Sequence, residues 1–317
     1  MSTTTPLGKI AIVVLTYRRV DEVGELLPIL DRHRAHRDED ISILVIDNDP
    51  QASARQVVEE VGSPTVRYVH EPLPGIAHAR NRALDETADA QLLIFIDDDE
   101  RPLDTWLDAM LDTYRRSRPA GVTGPLYPDY AHEPSGFIVA GGFFVRKHYP
   151  EGHLMPAAGT GNLLLDLDQV RRAGLRFDPL FGLTGGSDHM FTRALIRSGG
   201  RIVWSNDAGL VDKVPAQRLT RKWVLQRQYR FGNTESRTSL ALTDAGLQQL
   251  AARLRLTARG LVRVGVGGLR AGYGAASRSP VHGARGHRWL RRGLGMVAGA
   301  WGSTYVEYQR PVERIAP

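Results

Sequence analysis

Short, unbroken apolar runs alternate with longer amphipathic stretches along the first part of the chain. IAIVVLTY (residues 10–17), ISILVID (41–47) and LLIFI (92–96) carry almost no polar position. Such runs suit parallel strands covered on both faces. Between the first two, Val23, Leu26, Leu27 and Leu30 recur at helical spacing. Asp49, Pro50 and Ser53 offer turn and cap chemistry before a second helix through Val57, Val58 and Val61. VRYVHE (66–71) alternates weakly, as an edge strand does. A Pro and Gly turn at 72–75 then leads into the helix IAHARNRALDETA (76–88), with His78 and Arg80 near its start. The order predicts an α/β fold with a doubly wound, mostly parallel sheet and right-handed crossovers.

Beyond Pro125 the pattern becomes irregular, rich in Gly, Pro and aromatic residues. Residues 157–174 predict a loop, a short strand and a helix. Residues 177–200 predict a glycine-rich loop feeding a helix at Asp188, and RIVWSND supplies another short strand. From Arg218 onward the chain turns basic and helical, so the expected division is a catalytic domain over 1–217 and a basic helical region over 218–317.

Composition narrows the function classes. The 317 residues include no cysteine, which excludes disulfides, thiolate metal sites and cysteine nucleophiles. No run reaches the ~18 uninterrupted apolar residues of a spanning helix, and the opening MSTTTPLGK has no secretory pattern. A cytoplasmic location is expected, with peripheral membrane contact still open. The net charge of +6 favours an anionic partner, and nucleic acid, phosphoglycan, nucleotide sugar and acidic lipid all qualify.

The densest chemistry lies where LLIFI ends abruptly in Asp97, Asp98 and Asp99. Open parallel sheets bind ligands beyond the carboxyl ends of their strands. Carboxylates gathered there repel one another unless a cation sits among them, and hard oxygen ligands suit Mg2+ or Mn2+ bridging to a pyrophosphate. The alternative is a loop of helix-capping aspartates before a helix from about Leu103. Asp47 and Asp188 make two further acidic stations, Asp188 at a helix start after Gly185, Gly186 and Ser187. Asp47 is also consistent with an ordinary turn residue before Pro50, and Asp188 with a helix cap. Functionally, Asp188 would be a general base. Thr16 and Tyr17 at the end of the first strand add a hydroxyl and an aromatic face, which with Asp47 could hold a base. Arg80, Arg218 and Arg227 could offset phosphate charge. The phosphate-cradling alternatives fail: there is no G-x-x-x-x-G-K-[ST], and GVGGLRAG (265–272) lacks the dinucleotide spacing. GTGN (159–162) is a candidate for a loop of close backbone approach.

Taken in order, IAIVVLTYRR, ILVIDNDP, GIAHARNRAL, FIDDDERPLDTWLDAM, GTGNLLL and FDPLFGLTGGSDHMF resemble the motifs of the family 2 glycosyltransferases. These are inverting enzymes with a GT-A fold. The resemblance covers residues 9–232 and implies transfer of a sugar from a nucleotide-diphosphate donor to a hydroxyl of a glycan, a lipid-linked glycan or a small molecule. By position, it implies that Thr16, Tyr17 and Asp47 hold the nucleoside and that Arg80 lies near the nucleotide. Asp97 and Asp98 fall on the donor side, with Asp97 against ribose or sugar. Asp99 would ligate Mn2+ or Mg2+, with Asp212 as a further ligand, and Asp188 would be the catalytic base. Ser187 departs from the family's usual glutamate. The processive signature Q-x-x-R-W is absent, since QRLTRKW (217–223) has other spacing, which implies one sugar added per encounter.

In the basic region, Leu247, Leu250, Leu254 and Leu261 share a helical face among Arg253, Arg255, Arg259 and Arg263, and Leu290, Leu294, Val297 and Trp301 form a second stripe. Basic amphipathic helices with tryptophan can lie on an anionic membrane surface, here the inner face of the cell membrane; packing on the catalytic domain is the alternative. Gly260, Gly265, Gly267 and Gly268 count against a helix. Two other functions remain to be weighed. A nucleotidyltransferase would need a glycine-rich phosphate loop, and TYRRVDE is a poor one. A nucleic-acid-binding protein would need a reading helix or aromatic sheet face, and neither is evident.

Overall fold

The computed structural model describes residues 7–305, so most of the opening segment on which the secretory-signal expectation rests lies outside the described residues. The first elements in chain order are β1 (Ile10–Thr16), α1 (Val20–Ala35), β2 (Ile41–Asp47), α2 (Arg55–Val61), β3 (Val66–His70), α3 (Ile76–Glu86), β4 (Leu92–Asp97), β5 (Glu100–Pro102), α4 (Trp106–Ser117) and β6 (Gly121–Thr123). There follow β7 (Leu126–Tyr130), α5 (Gly136–Gly141), β8 (Asn162–Asp166), α6 (Leu167–Arg172), α7 (Ser187–Arg197), β9 (Ile202–Trp204), β10 (Leu210–Val214), α8 (Arg221–Ala241), α9 (Leu247–Ala276) and α10 (Pro280–Ala300). They divide into two compact units. The first runs through Glu133 and takes in Phe144–Asp178 and Asp188–Ala216; the second comprises Pro134–Phe143, Pro179–Ser187 and the chain from Gln217.

The first unit is α/β, with a seven-stranded sheet in the order β3-β2-β1-β4-β8-β6-β9. β8 lies antiparallel between β4 and β6, and the other pairs are parallel. The unbroken apolar runs are explained by burial on both faces. Ile10, Ile12 and Val14 of β1 pack with Leu26, Leu30 and Trp106 from α1 and α4. Ala11, Val13 and Leu15 pack with Ala83, Val170 and Phe191 from α3, α6 and α7. A smaller sheet, β5-β10-β7, adjoins the aspartate turn. Its β5 corrects the expectation of a helix from about Leu103: the chain first forms this short strand against β10, and α4 starts only at Trp106.

The second unit is helical. α9 runs unbroken for 30 residues despite its glycines. The physical reason is close backbone approach. A Cβ on Gly267 would stand 2.5 Å from the Leu290 nitrogen, one on Gly274 2.2 Å from that of Gly283, and one on Gly260 3.0 Å from the Gly293 oxygen. These glycines recur every seven residues and present one bare stripe to α10, so packing offsets the propensity cost of ~1 kcal/mol each. Gly265 and Gly268 meet nothing within 4 Å. Gly267→Ala is therefore expected to lower stability by ~1–3 kcal/mol through overpacking. Gly265→Ala should raise it by up to ~1 kcal/mol through helix propensity. Denaturant unfolding of the two variants checks the contrast.

Candidate active site

The strand register gathers the acids. Thr16 pairs with Asp47 across β1 and β2, and Leu15 pairs with Asp97 across β1 and β4. Thr16, Asp47 and Asp97 therefore stand side by side at the carboxyl edge of three neighbouring parallel strands. Because β4 ends there, Asp98, Asp99 and Glu100 turn over that edge into the second sheet, where Glu100 lies opposite Asp212.

Asp47 is fully buried, and its carboxylate accepts hydrogen bonds from the Asp49 nitrogen at 2.9 Å, the Ala54 nitrogen at 2.8 Å and the Tyr68 hydroxyl at 3.0 Å. It thus fixes the loop between β2 and α2. Burial and the Asp47 charge raise the Tyr68 hydroxyl above its ordinary range. Asn48, which the sequence patterns did not single out, donates to the Glu71 and Leu73 carbonyls and accepts from the Gly75 nitrogen. It ties that loop to the start of α3. Tyr17 is half-buried with the Arg18 guanidinium over its ring. Arg80, buried on α3, lies over the Phe177 ring, and its charge favours the ionised form of Asp97.

Burial pushes the Asp97 carboxyl up to about 7, with Asp99 adding to the rise and Arg80 opposing it. Asp98 is raised to about 6, again chiefly by burial, against the pull of Arg19. Glu100 is pushed well above the usual carboxylate range by burial and then by Asp97, Asp99 and Asp212. Negative charge is crowded into one corner. Arg19 answers part of it, donating to Asp98 at 2.6 Å and lying 2.9 Å from Asp99. Burial alone would lower this guanidinium, but the two aspartates hold it charged. Arg146 pairs with Asp212 at 3.0 Å.

Asp188 lies in the first turn of α7, half-buried, its Oδ1 accepting from the His189 nitrogen at 2.7 Å. His189 itself is exposed. The loop before β8 joins Asp188 to the carboxylate corner. A Cβ on Gly159 would be 3.5 Å from the Asp188 Oδ2, and one on Gly161 would be 2.8 Å from both the Asp97 Oδ2 and the Glu100 Oε1. GTGN is thus a loop of close approach, and it brings Asp188 and Asp97 to the two ends of one tripeptide. Arg218 and Arg227 belong to the second unit, each with its guanidinium over the Trp223 ring.

A family model described as Glycosyl transferase family 2 matches residues 11–153. The succinoglycan biosynthesis protein ExoM of Rhizobium meliloti (strain 1021) is 33% identical over 244 residues, which cover 76% of this chain and 78% of the relative. The chain belongs to glycosyl transferase family 2. It is a glycosyltransferase of the GT-A type, with a nucleotide-diphosphate sugar as its donor class. This membership sets aside the nucleotidyltransferase and nucleic-acid-binding alternatives.

Solved structures share the fold of this glycosyltransferase. The mannosyltransferase PcManGT from Pyrobaculum calidifontis, in complex with GDP-Man and Mn2+, gives a TM-score of 0.62 at 16% identity, covering 94% of this chain and 88% of that one. GalNAc-T7 with UDP, GalNAc and Mn2+ gives 0.50 at 14% identity, covering 77% of this chain. This glycosyltransferase spans 53% of the GalNAc-T7 chain and, in a further match, 41% of S. aureus TarS.

Among the described residues, no group of three or more His, Asp or Glu side chains is arranged to hold a metal ion. The chemistry of the donor set nevertheless fits a divalent cation. Mg2+ is usually held by one or two carboxylates plus substrate phosphates and waters, without an all-protein cage. A corner of mutually repelling carboxylates, with Asp99 and Asp212 both facing Glu100 electrostatically, supplies such hard oxygens.

Proposed function

We propose that this glycosyltransferase is inverting, metal-dependent and non-processive, transferring one sugar to a hydroxyl of a glycan, lipid-linked glycan or small-molecule acceptor. The observation that carries the reading is the glycine loop with the carboxylate corner at one end and Asp188 at the other. A single displacement needs a base on one side of the anomeric carbon and a place for the departing diphosphate on the other. Asp188 takes the proton of the acceptor hydroxyl as its oxygen bonds to the anomeric carbon. The bond from that carbon to the diphosphate breaks in the same step, so the configuration inverts.

Asp99 and Asp212 would hold Mn2+ or Mg2+, which when bound neutralises charge on the diphosphate. Asp97 and Asp98 complete the donor side, Asp97 against the ribose or sugar. Arg80 offsets nucleotide charge. Thr16 and Tyr17 line the nucleoside, while Asp47 acts on it by holding the shape of the loop that follows β2. Arg19 pairs with Asp98 and Asp99 and holds both side chains in place. The proposal extends to a cytoplasmic location and to contact with the anionic inner face of the cell membrane.

The stereochemical test needs no knowledge of the acceptor. Slow hydrolysis of the donor, followed by proton NMR before mutarotation, is expected to release sugar of the opposite anomeric configuration. Release of the donor's own anomer would contradict a single displacement. A Gly161→Ala variant is expected to lose most of its turnover, because its Cβ would press on Asp97 and Glu100 at 2.8 Å. Initial-rate kinetics against Gly136→Ala, outside the loop and with nothing within 4 Å of the added Cβ, checks this.

A further inference from the structure

α9 buries one side and leaves the other uncovered. Ala252, Leu256, Gly260, Gly267 and Gly274 are its buried positions. Leu247, Leu250, Leu254, Leu261, Leu269 and Tyr273 are exposed, Leu247 at 85% and Leu269 at 78%. At 3.6 residues per turn these six fall within an arc of about 140°, centred opposite the buried stripe, and extend for about 40 Å along the helix. A uniformly apolar outer face of that length is out of keeping with a helix bathed in water.

The surroundings of this face select its occupant. From residue 245 to residue 306 the sequence has ten arginines and no aspartate or glutamate. Arg255 is exposed at one edge of the stripe. At the other edge Trp301, 56% exposed, donates from its indole nitrogen to the Thr257 hydroxyl at 3.0 Å. Apolar side chains flanked by arginine and an interfacial tryptophan match the boundary between headgroups and acyl chains. A second copy of the chain fits less well, since two such faces would bring their Arg255 side chains together while the nearby acid, Glu235, is already engaged by Arg259, Arg263 and Arg292. No helix among the described residues is long and apolar enough to cross a membrane, so the face can only lie along the surface.

We infer that the outer face of α9 lies flat on an anionic lipid bilayer. Leu250, Leu254, Leu261 and Leu269 enter the acyl boundary and Arg255 meets the headgroups. This gives the membrane contact proposed above a defined surface. It stands apart from the transfer chemistry, so its failure leaves donor binding and turnover untouched.

The test is co-sedimentation of the full chain with vesicles of phosphatidylcholine alone and of phosphatidylcholine with about 30 mol% phosphatidylglycerol. The expected result is binding to the anionic vesicles at least about tenfold tighter than to the neutral ones, weakened by salt. The triple variant Leu254→Glu, Leu261→Glu, Leu269→Glu replaces exposed side chains only. It should bind at least about tenfold more weakly, with circular dichroism and nucleotide binding unchanged. Equal vesicle binding by the variant and the native chain would overturn the inference. So would a native chain that ignores anionic vesicles but forms a concentration-dependent dimer dissolved by the triple variant, because the face would then serve a second copy.

Discussion

Replacing Asp188 by Asn is expected to lower turnover by about 10²–10⁴-fold while leaving donor affinity unchanged. The substitution keeps the shape of the side chain and an oxygen able to accept from the His189 nitrogen, the contact that Asp188 makes at the head of α7. Local structure is therefore preserved, and what is lost is the capacity to take a proton. Donor affinity should be spared because the carboxylate corner lies at the other end of the glycine loop, beside Gly161 rather than Gly159. Initial rates of transfer or donor hydrolysis, paired with calorimetric donor binding, separate the two effects. A variant that binds and turns over normally would move the base elsewhere.

Asp99→Ala is expected to produce the opposite separation, with metal-dependent donor binding lost by about 100-fold or more and turnover falling with it. Unfolding does not account for such a loss. The substitution removes one of the charges that raise Asp97, Asp98 and Glu100, so it relieves repulsion in a buried corner. Arg19 keeps its 2.6 Å hydrogen bond to Asp98. The melting temperature should hold or rise, while the metal no longer strengthens nucleotide binding. Melting curves with and without Mn2+ measure both quantities. A variant with lower thermal stability and intact metal dependence would mark Asp99 as structural.

The fold was legible where burial leaves a simple signature. β1, β2 and β4 are almost wholly apolar up to their carboxyl ends because helices cover both faces of the sheet, and the abrupt change from Ile96 to Asp97 marks the edge where the site forms. Other features depend on pairings that no local pattern carries. Arg19 finds Asp98 79 positions away, and β5 exists only because β10 returns from far along the chain. DDDE did contain Glu100, but its burial follows from that distant strand. Asp47 looked equally like a turn residue and a nucleoside ligand. Its three hydrogen bonds bind the loop, a role set by how residues 48–54 curl back over it. The glycines of α9 misled because propensity describes an isolated helix. Their seven-residue spacing was the available sign of a packed stripe against α10.

The carboxylate corner is expected to bind a nucleotide-diphosphate donor through a divalent cation. Calorimetric titration of the native chain and Asp99→Ala with UDP, GDP and dTDP sugars, in Mn2+, in Mg2+ and in chelator, measures this binding. At least one donor should bind the native chain in metal alone, and that binding should vanish in chelator and in Asp99→Ala. Binding that is indifferent to metal, or no binding of any donor under any metal condition, would contradict the claim.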